Sequence, residues 1–292
     1  MKSSHFRALL VTLAVGFSAG PSAANVFGDS PQTVIDRSRW PVFQAIGVAY
    51  RERDISNYAA MIASGTAPSS AVGYGTAFNV GPCTVLSNRH VPYAGEPYPD
   101  SESNYRMVYS VGYADASPFT IVAELNPIVY GDLLKSDFSL SIDSKCSGKT
   151  VGWYKTSDIS TDELVRTQAK VLVVSFPSNK PGQMVASFGK VTGVDPDSGN
   201  VLYSASTAPG SSGGVVFVVL STGEILAQGI HVGGRKKGSD DFTYPNYTQE
   251  HANEFINLSE IMYRHDIQII LRADFSVHGT RNPLENYLHV VK

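Results

Sequence analysis

The sequence predicts an all-β protein, and three observations carry that reading. Short runs rich in Val, Ile, Tyr, Phe and Thr recur along the chain, Gly and Pro punctuate them, and no long helical period alternates with them. A first series occupies 42–50, 75–80, 84–87, 107–112, 119–124 and 138–142, and a second occupies 169–176, 185–191, 201–205, 214–220, 225–231 and 255–258. Between the two series, 144–163 is rich in Ser, Thr, Lys and Gly and reads as a connection across the surface. The chain therefore divides into two β units, 25–143 and 164–258, each a barrel or a sandwich by this criterion alone.

The β pattern ends at 258. Ile261, Met262, His265, Ile267, Ile269 and Ile270 then recur at helical intervals behind Ser259, a residue type that caps a first turn, so one helix is expected over 259–271. Gly279 and Pro283 interrupt the remaining tail, 272–292. At the other end, Lys2 and Arg7, the apolar run 8–17 and the small residues Ser22-Ala23-Ala24 have the three-part layout of a secretory signal, with cleavage expected after Ala24. That run is too short to span a bilayer, and no later segment approaches the roughly 20 apolar residues a membrane helix needs. The expected product is soluble and secreted or periplasmic.

A chain of 292 residues can bury a substantial core without metal or dense disulfide support. Net charge is −3, and Lys and Arg are scattered except at Arg235-Lys236-Lys237, which argues against a nucleic-acid partner. Cys83 and Cys146 are the only cysteines, and in an oxidising compartment a disulfide is expected rather than two free thiols. In the chain-entropy treatment such a bridge contributes about 4 kcal/mol.

The stretch Ser206-Thr-Ala-Pro-Gly-Ser-Ser-Gly-Gly-Val215 places a serine among glycines. A serine hydroxyl is a poor nucleophile until a base takes its proton, and the developing oxyanion needs fixed donors. Ser212 is the candidate nucleophile and the amides of Gly210 and Ser212 are the candidate oxyanion donors, because flanking glycines let the backbone come close to a bound carbonyl. The same string satisfies the G-x-S-x-G of α/β-hydrolases, and a bland Gly/Ser turn would also produce it. The absence of strand–helix alternation and the position of the best His and Asp before the serine disfavour an esterase or lipase. That histidine is His90, in Ser87-Asn-Arg-His90 at the expected end of a strand, and the carboxylate is Asp137, opening the alternating run 137–142, with Asp132 as its competitor. In such a set the carboxylate fixes the imidazole tautomer and the imidazole relays the proton from the hydroxyl to the leaving group.

The blocks ending in N-R-H, reading D-F-S-L-S-I and reading G-S-S-G-G resemble, in order, those of the chymotrypsin-fold serine peptidases, over roughly 26–271. Within that superfamily the chain is most similar to the bacterial glutamyl endopeptidases, through Val26-Phe-Gly-Asp29, Trp40-Pro41 before Ala45-Ile-Gly47, Ser206-Thr207, and Gly229-Ile-His-Val-Gly-Gly234. The resemblance implies two six-stranded antiparallel β-barrels with a C-terminal α-helix, His90 and Asp137 from the first barrel, Ser212 from the second, and a cleft between. It further implies that Thr207 and His231 line the primary specificity pocket, that cleavage follows Glu and less readily Asp, and that Val232, Gly233 and Gly234 form the edge that pairs with extended substrate. A hydroxyl and an imidazole supply donors to a buried carboxylate without a full countercharge.

Two departures stand out. Ser211 occupies the place where many relatives carry an acid that receives a new N-terminal amine, and only a short segment separates Ala24 from Trp40, leaving little room for a propeptide. The competing readings are a catalytically silent binding or adhesion protein on the same scaffold and a peptidase of non-acidic specificity. His251, His265, His278 and His289 lack zinc-site spacing, so no cofactor or metal is expected; the partners expected are peptides or proteins, and the chain a monomer.

Overall fold

The structure, a computed structural model, describes residues 27, 30–36, 39–51, 55–64, 74–91, 107–111, 121–131, 136–222, 224–234, 248 and 251–285. The segment expected to be a signal, Asp132 and Arg235-Lys236-Lys237 lie outside them. The first half contains β1 (Thr33–Val34), β2 (Ile46–Arg51), α1 (Ile55–Ser64), β3 (Tyr74–Asn79), β4 (Thr84–Ser87), β5 (Met107–Val111), β6 (Ile121–Tyr130) and β7 (Ser139–Asp143). Strands β2-β3-β4-β7-β6-β5 close into an antiparallel barrel, the ring completed where β2 pairs with β5 at Val48 and Ser110. Pro127 sits inside β6 without breaking it, because the register slips between Pro127 and Val129 and a bulge relieves the residue that has no N–H to offer.

The connection carries two short helices, α2 (Gly148–Val151) and α3 (Thr161–Thr167). Helix α3 starts at Ser160, whose hydroxyl accepts from Glu163 N, with Asp162 and Glu163 favourably placed against the dipole in its first turn. The second half contains β8 (Lys170–Ser175), β9 (Val185–Val194), β10 (Val201–Tyr203), β11 (Val215–Val219), β12 (Ile225–Gly234) and β13 (Asn253–Asn257). The long strand β9 pairs with β8 along one part and with β10 at its end, closing the six strands β8-β9-β10-β13-β12-β11 into a second antiparallel barrel, to which β1 is added at β9. Both barrels are closed, as the resemblance implied.

Two expectations are corrected. The run 42–50 is not one strand: Pro41 starts a 3-10 turn over Pro41–Phe43, and β2 begins only at Ile46. The single helix expected over 259–271 is two, α4 (Leu258–Met262) and α5 (His265–His278). Asn257, not Ser259, caps α4, its side chain accepting from Ser259 N at 3.1 Å. Arg264 is extended between the helices, and Gln268 of α5 donates to the Met262 carbonyl at 2.6 Å, satisfying an acceptor that a continuous helix would have used internally. Gly279, at φ 85, then ends α5.

Period-two alternation along β8 and β11 divides their side chains between two cores. Val171, Val173, Val216 and Val218 join Tyr203 and Phe255, whereas Leu172, Val174, Val215 and Phe217 join the cluster that reaches into the first barrel. That seam is aromatic: Tyr154 meets Phe217 edge-on at 5.0 Å and Phe78 at 6.3 Å, and its hydroxyl donates to the Val42 carbonyl at 2.7 Å. Helix α5 is pinned to the entry of β4 by the buried Asp274, whose carboxylate accepts from Cys83 N, Thr84 N and Thr84 Oγ1 at 2.9–3.2 Å. The predicted disulfide joins Cys83 to Cys146 at the same place. No helix among the described residues is long and apolar enough to cross a membrane.

Candidate active site

Strand β4 delivers Asn88, Arg89 and His90 to the cleft side of the first barrel, and each of the three holds the segment around Asp137. Asn88 Nδ2 donates to the Asp137 carbonyl at 2.7 Å, Arg89 to the Gly131 carbonyl at 2.8 Å, and His90 N to Asp137 Oδ1 at 3.0 Å. The imidazole Nδ1 of His90 bonds Asp137 Oδ2. The Asp137 side chain is only 8% exposed while that of His90 keeps 39%, so the carboxylate is hidden behind an imidazole that still faces the cleft. The structure brings together His90 and Asp137, both singled out from the sequence, whereas nothing in the sequence pointed to the buried Asn88, which fixes the main chain of the aspartate.

The turn before β11 comes from the second barrel and is held by the first. Thr76 N donates to the Ser212 carbonyl at 2.7 Å, Thr76 Oγ1 to the Gly210 carbonyl at 3.2 Å, and Gly213 N to the His231 carbonyl at 2.9 Å. Gly210 and Gly213 lie at φ 87 and 81, and a Cβ on Gly213 would fall 1.9 Å from the Thr76 carbonyl oxygen, so only glycine is accommodated there. Among the described residues the amides of Gly210 and Ser212 donate to no acceptor. Ser211 is fully buried, its hydroxyl accepting from Ser175 Oγ at 3.0 Å and from Ala208 N at 3.3 Å. The position that departs from many relatives is thus a structural hydroxyl inside the turn.

Gly75 ties the two halves of the site together: a Cβ on it would meet Val91, next to His90, at 2.5 Å and the Ser212 carbonyl at 2.8 Å. Ser212 Oγ donates to the Val232 carbonyl at 3.2 Å and makes no bond to His90 in this conformation. The register of β12 shifts between His231 and Gly233, and β11 pairs with β12 only as far as Ile230, so among the described residues no strand pairs with the second edge of 232–234. A Cβ on Gly233 would meet no atom of the described residues within 4 Å.

Of the expected pocket residues, Thr207 is buried and its hydroxyl has no partner among the described residues. His231 is bonded through its backbone to Gly213 and Gly214, and its Nδ1 lies 2.7 Å from Tyr203 Oη and 3.2 Å from the Glu254 carbonyl. Burial pushes its pKa down to about 3, the nearby charge of His90 adds to that, and the Glu254 bond partly opposes it. An unfolded histidine takes up its proton near pH 6.5, so unfolding binds a proton between that value and about 3. The stability held above pH 6.5 is lost as the medium is acidified through this window, by on the order of a few kcal/mol. Melting temperatures followed from pH 7 to pH 4 are expected to fall less steeply in His231→Gln than in the parent; parallel curves would contradict the assignment.

Two closed six-stranded antiparallel barrels followed by C-terminal helices match the chymotrypsin fold. The family described as a trypsin-like peptidase domain matches residues 75–227, more than half of the chain, and the chain belongs to that family. It is a serine peptidase of the trypsin-like fold, and its substrates are proteins or peptides. Among solved structures it is similar to a Glu endopeptidase in complex with MPD, with 16% identity, a TM-score of 0.54, and 85% of this chain and 98% of that one covered. It is also similar to a thermostable serine protease, AL20, from an extremophilic microorganism, with 14% identity, a TM-score of 0.47, and 74% and 91% coverage. No curated protein matches the chain.

Proposed function

We propose that this chain is an exported endopeptidase that cuts after Glu, and less readily after Asp, through an acyl-enzyme formed on Ser212. The observation that carries the reading is the bonded His90–Asp137 pair of the first barrel together with Ser212 on a glycine turn that Thr76 of the same barrel holds, the amides of Gly210 and Ser212 donating to no acceptor among the described residues. Extended substrate adds as a strand along Val232, Gly233 and Gly234, which places its scissile carbonyl over Ser212. Rotation of the Ser212 side chain away from the Val232 carbonyl brings Oγ to the imidazole of His90, which takes the proton as Oγ attacks. The amides of Gly210 and Ser212 receive the oxyanion, and His90 then protonates the departing amine. Water repeats the sequence on the acyl-enzyme and regenerates the serine.

The acidic preference rests on Thr207 and His231, donors without a full positive charge. An N-terminal segment with the layout of a secretory signal, 1–24, supports export. Digestion of an unbiased peptide library, with the products sequenced by mass spectrometry, is expected to show cuts dominated by Glu on the acyl side, with Asp a weaker second. Cuts dominated by Phe or Lys would overturn the acidic pocket while keeping the peptidase, and no cuts at all would favour a silent binding protein.

A further inference from the structure

Behind His231 lies a residue that neither the motifs nor the family match assigns. Tyr203, in β10, is fully buried; its ring stands edge-on to the His231 ring at a centroid distance of 6.0 Å and packs on Phe255 at 5.7 Å. Its hydroxyl has one hydrogen-bond partner among the described residues, His231 Nδ1 at 2.7 Å. The same nitrogen is 3.2 Å from the Glu254 carbonyl, so Nδ1 has two possible bonds and one proton position decides between them.

If Nδ1 carried the proton it could donate to Glu254, but the buried phenol would then hold a proton with no acceptor. If Nδ1 is bare, the phenol is satisfied and the ring proton sits on Nε2. An unsatisfied buried O–H is the costlier defect, because a backbone carbonyl has other acceptor geometry available and the phenol does not. Burial also raises the Tyr203 pKa well above its usual value, which keeps the phenol a donor, and keeps His231 neutral.

We propose that Tyr203 is a positioning residue for specificity: by donating to Nδ1 of His231 it selects the Nε2–H tautomer, so that a neutral imidazole offers a hydrogen-bond donor to the side chain of the residue before the scissile bond. This rests on the acidic-pocket reading. The hydrogen bonds of the His231 ring among the described residues all run through Nδ1, and Thr207 Oγ1 is a buried polar atom without a partner there, so a side-chain acid supplies an acceptor to each. With the opposite tautomer Nε2 is an acceptor that repels a carboxylate and accepts from an amide. Tyr203 therefore discriminates Glu from Gln without touching either.

The test is Tyr203→Phe, which keeps the ring against Phe255 and removes only the hydroxyl. Nitrogen-15 NMR of the histidine side chains is expected to show Nε2–H for His231 in the parent and Nδ1–H in the variant, where the Glu254 carbonyl becomes the acceptor. On paired peptides that differ only by Glu or Gln at the cleaved residue, the Glu-to-Gln ratio of kcat/KM is expected to fall about 10- to 100-fold in the variant. An Nδ1–H signal in the parent, or an unchanged tautomer and ratio in the variant, overturns the assignment. A parent without any preference for Glu sinks the acidic pocket instead, and the tautomer spectra still decide the role of Tyr203. Should the variant lose cooperative unfolding, the parent spectrum alone settles the matter.

Discussion

Ser212→Ala is expected to lower kcat for peptide hydrolysis by about 10⁶-fold, the order found when the nucleophile of a cooperating triad is removed. The hydroxyl makes one weak bond, to the Val232 carbonyl, whereas the turn is held by backbone bonds from Thr76 and Gly213 and by the conformation of Gly213. Alanine therefore deletes the proposed attacking atom and little else. The melting temperature is expected to stay within a few degrees of the parent, and peptides should still bind along residues 232–234. Progress curves at high enzyme concentration, on the best peptide from the library, measure the loss. Residual turnover within about a hundredfold of the parent would mean that another group makes the acyl-enzyme.

Asp137→Asn is expected to cost about 10⁴-fold in kcat with a much smaller change in KM. Two different contacts hold this residue. Its carbonyl is gripped by Asn88 and is untouched by the substitution, so the segment stays in place. Its carboxylate accepts from both the amide and the Nδ1 of His90, and an asparagine amide cannot do both with the same polarity. The imidazole then either loses the bond or turns to the tautomer that presents a proton, rather than a lone pair, to Ser212. Single-turnover acylation by the variant across a range of pH measures this. A loss under about tenfold would show that the carboxylate does not set the state of His90, and would return Asp132 to consideration.

The strands and the glycine turn were legible because their determinants are local. Apolar and serine residues alternate in 138–142 and the apolar run 215–219 is continuous, patterns that mark half-buried and buried strands wherever they are placed, and the Gly-Pro at 81–82 marks the turn between β3 and β4. The turn at 210–214 was legible for a similar reason: two of its glycines adopt positive φ, which is a property of single residues. Local signals misled where tertiary contacts decide the outcome. The apolar period over 259–271 says nothing of a break, which follows from the Asn257 cap and the bond from Gln268 to Met262. β1 is two residues long and exists only because β9 offers an edge.

Composition and order alone determined the all-β class, favoured a bond between the two cysteines that the structure shows, and singled out a histidine, an aspartate and a serine in that order along the chain. Which group each polar atom meets was decided by closure of the barrels, through contacts between residues far apart in the chain: Asp274 with the entry of β4, Thr76 with the Ser212 carbonyl, Tyr203 with His231. The physical reason is that a residue's type specifies how many donors and acceptors it carries, whereas its partners depend on strand register and on where each ring shuts. Neither of those is encoded within a window of a few residues.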